Sequence, residues 1–281
     1  MTTETGFLET KGARIYYEVE GQGEPVVLIH AGIANLRMWD EQVPALADAY
    51  RVIRYDTRGF GRTETEDVAF SNRADIAALL DHLGEESAHL VGVSRAGQIA
   101  LDFALELPQR VRSLVVANGG VSGYESPDDD YSLFERAEKW EEAKDWEPLA
   151  EWETDFWVNG LGQPKDRVAP AIRDRVHEWI LTNYQADKVS GRPQPLDPPA
   201  VGRLRELRVP LLVILGTLDE PGTSASMRHL AESVPHARLE PFEGAAHMLN
   251  MEQPERFNRL LREFLDASSR AQPASESSHH E

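Results

Sequence analysis

The sequence lacks cysteine altogether, so none of its 281 residues can form a disulfide, act as a thiolate nucleophile or bind a metal through sulfur. It also lacks any apolar run long enough to span a membrane. The first 30 residues show no basic start followed by a long apolar block, which a secretory signal would need. The absence of a membrane span and of a secretory signal favours a cytoplasmic protein, whereas the absence of cysteine is only weak evidence on the compartment.

Basic residues are scarce relative to acidic ones, with 29 Lys and Arg against 48 Asp and Glu and a formal net charge of −19. Nucleic acids and anionic membranes are polyanions, so this charge argues against both as partners. The acidic runs SPDDDYS and EKWEEAKDWE fit a highly solvated surface. We therefore expect neither a nucleic-acid nor a membrane partner.

Short β-branched runs alternate with helical patterns from about residue 12 to residue 120. The strand-like runs are IYYEV, PVVLIH, YRVIRYD, AHLVGVS and RVRSLVVAN. Between the third and the fourth run, Ser71 precedes a helix whose apolar residues recur at helical spacing. Strands that alternate with helices need crossover connections, which predicts an α/β fold with a mostly parallel central sheet and flanking helices.

The same alternation returns after residue 205, in VPLLVILG, SASMRHLAESV, ARLEPFEG and QPERFNRLLREFL. The intervening segment reads as several helices, holds five of the six tryptophans and ends in the proline-rich GRPQPLDPPA. We predict a core domain of residues 1–120 and 206–268, an inserted helical cap or lid of residues 121–205, and a disordered tail of residues 269–281.

The stretch Gly92-Val93-Ser94-Arg95-Ala96-Gly97 lies between a predicted strand and a predicted helix. That context makes Ser94 a candidate nucleophile on a sharp turn above the carboxyl edge of the sheet. Such a turn needs small residues two positions before and after the serine. Gly92 meets the first need, Ala96 adds one methyl group at the second, and Gly97 is placed to relieve the crowding. Serines are common at strand ends, so the partners of Ser94 must decide its role.

A nucleophilic serine needs a base, and the base needs an acid that orients it. His247, in FEGAAHMLNMEQPERF, lies in a loop after the last strand, and Asp219, in VILGTLDEPG, follows another strand at the same edge. The chain order Ser, Asp, His is the one known for this arrangement on an α/β sheet. We therefore predict a triad of Ser94, Asp219 and His247, with Glu220 as the competitor for the acid.

The remaining histidines and one strand-end aspartate fit other roles. His30 is expected to bond its own loop, and Asp56, with Arg58, is expected to hold a turn. The other histidines fall on helices or their edges, at the far end of the sheet, in the cap or in the tail: His82, His89, His177, His229, His236, His279 and His280.

The sequence His30-Ala31-Gly32-Ile33 directly follows the apolar strand PVVLI. A small residue and a glycine allow backbone N–H groups to face the site. We predict that the amides of Gly32 and Arg95 form an oxyanion hole, with two preorganised donors aimed where negative charge develops. The alternative is an ordinary turn between strand and loop.

Together the HAGI loop, YDTRGFGRT, GVSRAG, GTLD and GAAHMLNMEQPERF resemble the α/β-hydrolase superfamily over nearly the whole chain. Within it, IHAGIANLRMWDEQVPAL followed by YRVIRYDTRGFG resembles the 3-oxoadipate enol-lactonase and cofactor-free haloperoxidase branch of esterases. The resemblance implies a helical cap, cleavage of esters, lactones or enol-lactones, and catalytic roles for Ser94, Asp219 and His247. Ala31 and Ala96 replace glycines usual in the family, but neither replaces a reacting group.

These residues predict acyl transfer to water by a serine hydrolase that acts on a small-molecule carboxylic ester or lactone and needs no metal or organic cofactor. A carbon–carbon bond hydrolase or a perhydrolase would keep the same triad, and a ligand-binding, receptor-like protein with little turnover is a further alternative. A homo-oligomer also stays open.

The aromatic content of the cap suggests an apolar or aromatic substrate group in contact with Trp140, Trp157 and Trp179. The alternative is that these rings only pack the cap onto itself and onto the sheet. The side chain of Arg95 either meets a substrate carboxylate or forms an ion pair with one of the many acids nearby.

Overall fold

The computed structural model describes residues 3–126, 131–186 and 188–271. Residues 272–281, which make up most of the predicted tail, lie outside the described residues. The final helix continues to Ala271, so the predicted tail begins too early. The hydroxyls of Ser268 and Ser269 donate to the carbonyls of Phe264 and Leu265, which extends the helix through this polar stretch.

The central sheet is mostly parallel, as predicted. The strands are β1 Glu4–Thr10, β2 Ala13–Glu20, β3 Glu24–Ile29, β4 Tyr50–Tyr55, β5 Glu64–Thr65, β6 Ala69–Phe70, β7 Ala88–Val93, β8 Val111–Ala117, β9 Arg192–Pro193, β10 Leu211–Gly216 and β11 Ala237–Phe242. Their order in the sheet is β1-β2-β4-β3-β7-β8-β10-β11, with β5 paired to β2, while β6 and β9 form a separate pair. The pairs β1–β2, β2–β4 and β2–β5 are antiparallel, and the strands from β4 to β11 along this order are parallel.

Helices cover both faces of the sheet. They are α1 Val43–Leu46, α2 Asn72–His82, α3 Arg95–Glu106, α4 Glu135–Glu142, α5 Trp146–Glu153, α6 Pro170–Gln185, α7 Pro221–Ser233, α8 Leu249–Glu252 and α9 Pro254–Ala271. Side chains alternate along a strand, so Val27 and Ile29 of β3 pack in one hydrophobic cluster with α2, α3 and α7. Val26 and Leu28 pack in the other, with α1 and α9. Burial on both faces explains the continuous apolar runs of these strands.

The register of the parallel strands brings their carboxyl ends to one level. Ile29 of β3 lies opposite Gly92 of β7, and Gly216 of β10 lies opposite Phe242 of β11. The loops that follow these strands, which hold the residues predicted to be functional, therefore start from the same edge of the sheet.

The segment between β8 and β10 contains α4, α5, a π-helical turn Thr154–Asn159 and α6. Val176 and Ile180 of α6 pack in the same cluster as α9. The chain then returns through β9, and Leu196, Ala200 and Leu204 are buried in the cluster that contains α3. The end of the predicted cap segment thus packs as part of the core, because these apolar side chains fill the space beside α3.

Among the helices of residues 3–126, 131–186 and 188–271, none is long and apolar enough to cross a membrane.

Candidate active site

Ser94 occupies a strained turn between β7 and α3. Its backbone angles are φ 62° and ψ −132°, a combination that residues other than glycine rarely adopt. The amide of Ser94 donates to the carbonyl of Ala117 over 2.9 Å, and its carbonyl accepts from the amide of Gly97 over 2.8 Å. These two bonds hold the turn against its strain.

Glycine is required on both sides of this turn, but not at position 96. A Cβ on Gly92 would lie 2.3 Å from the carbonyl oxygen of Ala96. A Cβ on Gly97 would lie 2.9 Å from a methyl of Val116 and 3.1 Å from the Cα of Gly119. Ala96 itself is fully buried in the core cluster. The close approach of β7 to α3 therefore depends on Gly92 and Gly97, and the core accommodates the methyl of Ala96.

Gly92→Ala is expected to lower the free energy of unfolding by about 3 kcal/mol, because the new methyl group meets backbone that cannot move away. Gly202→Ala is the matched control, since a Cβ there would meet nothing within 4 Å. Chemical denaturation followed by circular dichroism measures both. Equal stability of the two variants would contradict the steric argument.

His247 and Asp219 form a buried pair at the carboxyl edge of the sheet. Nδ1 of His247 lies 2.8 Å and 3.0 Å from the two carboxylate oxygens of Asp219. Their side chains are 5% and 2% exposed. Because the ring donates its Nδ1 proton to the carboxylate, Nε2 is left as the basic nitrogen.

One cavity of about 320 Å³ is lined by Ser94 and His247 together, along with Arg95, Asn118 and Trp157. The structure thus brings the serine to the same cavity as the histidine of the His247–Asp219 pair. A hydroxyl, an imidazole and a carboxylate in this order can perform nucleophilic catalysis.

Glu220, the competitor for the acid, has a different partner. Its carboxylate caps α7, accepting from the amide of Gly222 over 2.7 Å and also from the amide of Thr223. The residue that pairs with His247 is Asp219.

Asn118 is a site residue that the sequence analysis missed. Its Nδ2 donates to the carbonyls of Ala246 and His247 over 2.8 Å and 3.0 Å, and its Oδ1 accepts from the amide of Gly216 over 2.8 Å. Asn118 therefore ties the histidine loop to the end of β10. The sequence held a signal for this role, because Asn118 stands before two glycines at a strand end. Asparagine is one of the few residues that tolerate a positive φ, here 43°.

His30 bonds its own loop, as expected. Its Nδ1 donates to the carbonyl of Ala31 over 2.8 Å, and its Nε2 accepts from the amide of Thr57 over 3.0 Å. Complete burial lowers the pKa of His30 to about 3, so the ring is neutral at ordinary pH.

Asp56 also supports a turn, through the backbone. Its carboxylate accepts from the amides of Leu36 and Arg62 over 2.9 Å and 2.7 Å. Arg58 pairs instead with Asp75, over 2.7 Å.

Gly32 and Arg95, the two predicted oxyanion donors, are neighbours. A Cβ on Gly32 would lie 3.5 Å from Nε of Arg95. Arg95 is the first residue of α3, so its amide has no partner within the helix. In the part of the chain that the structure describes, the amide of Gly32 also donates to no protein acceptor.

The guanidinium of Arg95 lies among polar and aromatic partners but has no acid beside it. Its Nη2 donates to Oγ1 of Thr57 over 2.7 Å, and its Cζ lies 4.9 Å from the ring centre of Phe60. Its Nε is buried without an acceptor. Across the described ranges, no carboxylate pairs with Arg95, so the ion pair considered as an alternative role does not form there. Burial lowers the pKa of this guanidinium.

The three tryptophans predicted to contact substrate lie in different places. The ring centre of Trp157 is 4.4 Å from that of His247, in the cavity of Ser94. Trp140 packs instead against Arg136, whose Cζ lies 4.7 Å from its ring centre, and Trp179 packs against the cluster that contains α9. The structure brings only the first of the three to Ser94, because Trp157 follows α5 directly in the π-helical turn, whereas the other two lie on different helices.

Within residues 3–126, 131–186 and 188–271, no group of three or more His, Asp or Glu side chains is placed to hold a metal ion.

Comparison with known proteins gives matches over most of the chain. A family model described as alpha/beta hydrolase fold matches residues 24–254. A 3-oxoadipate enol-lactonase of Acinetobacter baylyi is 28% identical over 90% of this chain and 94% of its own. A 2-hydroxy-6-oxononadienedioate/2-hydroxy-6-oxononatrienedioate hydrolase of Burkholderia vietnamiensis is 30% identical, with coverages of 90% and 91%. The crystal structure of a bromoperoxidase from Bacillus anthracis superposes with a TM-score of 0.76 at 25% identity, covering 94% of this chain and all of that one.

Proposed function

The chain belongs to the α/β-hydrolase fold family, in agreement with its predicted resemblance to the enol-lactonase and haloperoxidase branch, and we propose that it is a serine hydrolase of small-molecule carboxylic esters or lactones. One observation supports this most directly: Ser94 shares a cavity with His247, whose Nδ1 lies 2.8 Å from the carboxylate of Asp219. The strained backbone of Ser94, with a positive φ of 62° at a strand end, is what a raised nucleophile needs.

In the proposed reaction, Nε2 of His247 takes the hydroxyl proton as Oγ of Ser94 attacks the substrate carbonyl carbon. Asp219 holds the imidazole tautomer and stabilises the imidazolium that forms. The amides of Gly32 and Arg95 stabilise the tetrahedral oxyanion. His247 then protonates the leaving alcohol, which leaves an acyl group on Ser94. His247 next deprotonates a water molecule that attacks the acyl carbon, and it returns this proton to Oγ of Ser94 as the acid departs. No step in this sequence calls for a metal or an organic cofactor.

Hydrolysis of a carbon–carbon bond is the second candidate, and one relative favours it. The substrate in the name of the Burkholderia vietnamiensis hydrolase is a keto diacid without an ester or lactone group. The same serine, histidine and oxyanion donors would serve that reaction. It also requires that a carbonyl group of the substrate be polarised and attacked by a nucleophile. Parallel assays with an ester, a lactone and a vinylogous diketone distinguish the candidates.

A carboxylate on the substrate would supply the hydrogen-bond acceptor and the negative charge that the guanidinium of Arg95 lacks. Arg95 lies in the first turn of α3, where the helix dipole disfavours a cation. Its Nε is buried without an acceptor, and no acid pairs with it in the described part of the chain. Both relatives named above act on compounds whose names contain a carboxylate. We therefore expect the substrate to carry an acidic group close to the scissile carbonyl.

Arg95→Met is expected to lower kcat/KM for esters with a free carboxylate by about 10- to 100-fold, the worth of a hydrogen bond to a charged group. Neutral esters of the same size should change much less, because the Arg95 amide is retained. Arg192→Met, at a site with a 67% exposed side chain, is the matched control. An equal loss on acidic and neutral esters would refute a carboxylate-binding role.

Exposure of the protein to a fluorophosphonate tests the proposal. An activated Ser94 attacks phosphorus, fluoride leaves, and a covalent Oγ–P bond adds the probe mass to one peptide. We expect a single adduct on Ser94 by intact-mass measurement and peptide mapping, and its loss in His247→Ala. Folded protein without an adduct, and without turnover of any ester or lactone, would contradict a hydrolase and favour a ligand-binding protein.

A further inference from the structure

A second cavity, of about 390 Å³, lies between the core and the cap segment. The core contributes Gly32, Ile33 and Phe60 to its wall, and α5 and α6 contribute the opposite side. We call it the cap-side cavity. Gly32 is also a predicted oxyanion donor, so this cavity begins at the loop that would hold the substrate carbonyl.

Two residues on the cap side of this cavity each hold a buried polar atom that has no hydrogen-bond partner in the described part of the chain. The atoms are Oε2 of Glu153, at the end of α5, and Nδ2 of Asn183, in α6. The other oxygen of Glu153 accepts from the hydroxyl of Tyr184 over 2.7 Å. Tyr184 is in turn stacked on Trp146, with ring centres 5.1 Å apart and planes 8° apart. One carboxylate oxygen is thus held in place while the other is left unpaired.

A buried donor or acceptor without a partner costs more free energy than an ordinary hydrogen bond gains, and native proteins retain few of them. Here one donor and one acceptor occur on two different helices that line the same cavity. Burial, with the charge of Glu141 adding to it and the Tyr184 hydrogen bond opposing it, raises the pKa of Glu153 to about 7. The carboxyl therefore lies in poorly hydrated surroundings, where a ligand can supply the missing partner.

We propose that the cap-side cavity binds a hydroxyl group on the substrate, which donates to Oε2 of Glu153 and accepts from Nδ2 of Asn183. This inference rests on the proposed serine hydrolase, because Gly32 joins the cavity to the reaction. It assigns the substrate a polar end remote from the scissile bond.

The chemistry of the two atoms selects a hydroxyl over charged groups. An ammonium would donate to Glu153 but offer nothing to the N–H of Asn183. A carboxylate only accepts hydrogen bonds, so it would pair with Asn183 but offer no donor to Oε2 of Glu153, even with Lys144 in the same wall. Lys188, which also lines the cavity, already donates to the carbonyl of Gly61. A hydroxyl both donates and accepts, so it matches the pair.

The test compares substrates that differ only by a terminal hydroxyl. One series pairs 4-nitrophenyl esters of straight-chain acids with their ω-hydroxy counterparts, and a second pairs alkyl acetates with monoacetates of α,ω-diols of equal length. The two series place the hydroxyl on the acyl half or on the leaving alcohol. Terminal amino and carboxylate versions of each are included. The measured quantity is the ratio of kcat/KM for the hydroxylated and plain members.

In the wild type at about pH 8, above the pKa of Glu153, we expect a ratio of about ten or more in one series, since one hydrogen bond to a charged group supplies such a factor. The ratio should fall towards one in Glu153→Gln and in Asn183→Leu, which alter different helices, so a folding defect in one leaves the other informative. Glu147→Gln is the matched control on α5, with a 73% exposed side chain, and should keep the ratio. Circular dichroism verifies the fold of each variant.

A wild-type ratio near one in both series, a ratio that survives in Glu153→Gln and Asn183→Leu, or a preference for the amino over the hydroxylated substrates would overturn the hydroxyl site. The carboxylate substrates are compared in Arg95→Met, where a preference for them over the hydroxylated members would overturn it as well. Calorimetric binding of the same pairs to Ser94→Ala separates this failure from failure of the hydrolase. Hydroxyl-selective binding without turnover of any ester by the wild type would reject the hydrolase and keep the site. Turnover of plain esters without hydroxyl selectivity in rate or binding would keep the hydrolase and reject the hydroxyl site.

Discussion

Ser94→Ala is expected to lower kcat by about 10⁶-fold on any ester that the wild type hydrolyses, the loss typical of removing a triad nucleophile. The fold should persist, because the side chain is not needed for the two backbone bonds that hold the turn, from the amide of Ser94 to Ala117 and from Gly97 to its carbonyl. Activity above the uncatalysed rate should remain, since the oxyanion donors and the cavity are unchanged.

Steady-state kinetics and thermal melting measure the two halves of this expectation. Ser233→Ala on α7 is the matched control for the loss of a serine hydroxyl. A fall in rate of less than about tenfold in Ser94→Ala would show that another group carries the reaction. A fall accompanied by unfolding would be uninformative about chemistry, and Ser94→Gly, which relieves the positive φ of 62°, then provides a second folded variant without the nucleophile.

Asp219→Asn is expected to lower kcat by about 10⁴-fold while the structure is retained. The amide is the same size as the carboxylate, but its nitrogen can donate to Nδ1 of His247 and so stabilise the tautomer whose Nε2 carries the proton. That tautomer cannot accept the proton of Ser94. The effect is large because both side chains are almost completely buried and water cannot take the place of the carboxylate.

Glu220→Gln is the matched control for Asp219→Asn, since the two residues are adjacent and carry the same functional group. Glu220 caps α7 by accepting from two backbone amides, so its amide variant should lose no more than about 1 kcal/mol of stability and keep its activity. Measurement of kcat and of the unfolding midpoint for both variants separates the roles. The opposite pattern, with activity lost in Glu220→Gln alone, would make Glu220 the acid.

The order of strands and helices could be predicted because each buried strand is a continuous apolar run and each helix an apolar stripe. β1 escaped notice because it is an edge strand whose residues, ETGFLET, are mostly exposed or half-buried and are paired only to β2. The end of α9 was placed too early because a polar composition does not reveal that a serine hydroxyl bonds to a carbonyl one turn back.

The sequence by itself determined which residues lie at the carboxyl edge of the sheet. Ser94, Asp219 and His247 each follow a strand, and parallel strands end together, so their chain positions predict a common location without any knowledge of packing. Gly32 reaches the same edge for the same reason. These inferences depend only on strand direction and order, which local patterns encode.

Only the tertiary structure decided which distant side chains meet. Trp157, and neither Trp140 nor Trp179, lies at His247; Asn118 ties the histidine loop; and Arg95 has no acid partner in the described part of the chain. Each of these depends on the packing of helices and loops far apart in sequence, where a shift of one helical turn changes the contact. Acidic and aromatic residues are frequent in this sequence, so composition alone cannot identify which of them contacts the site.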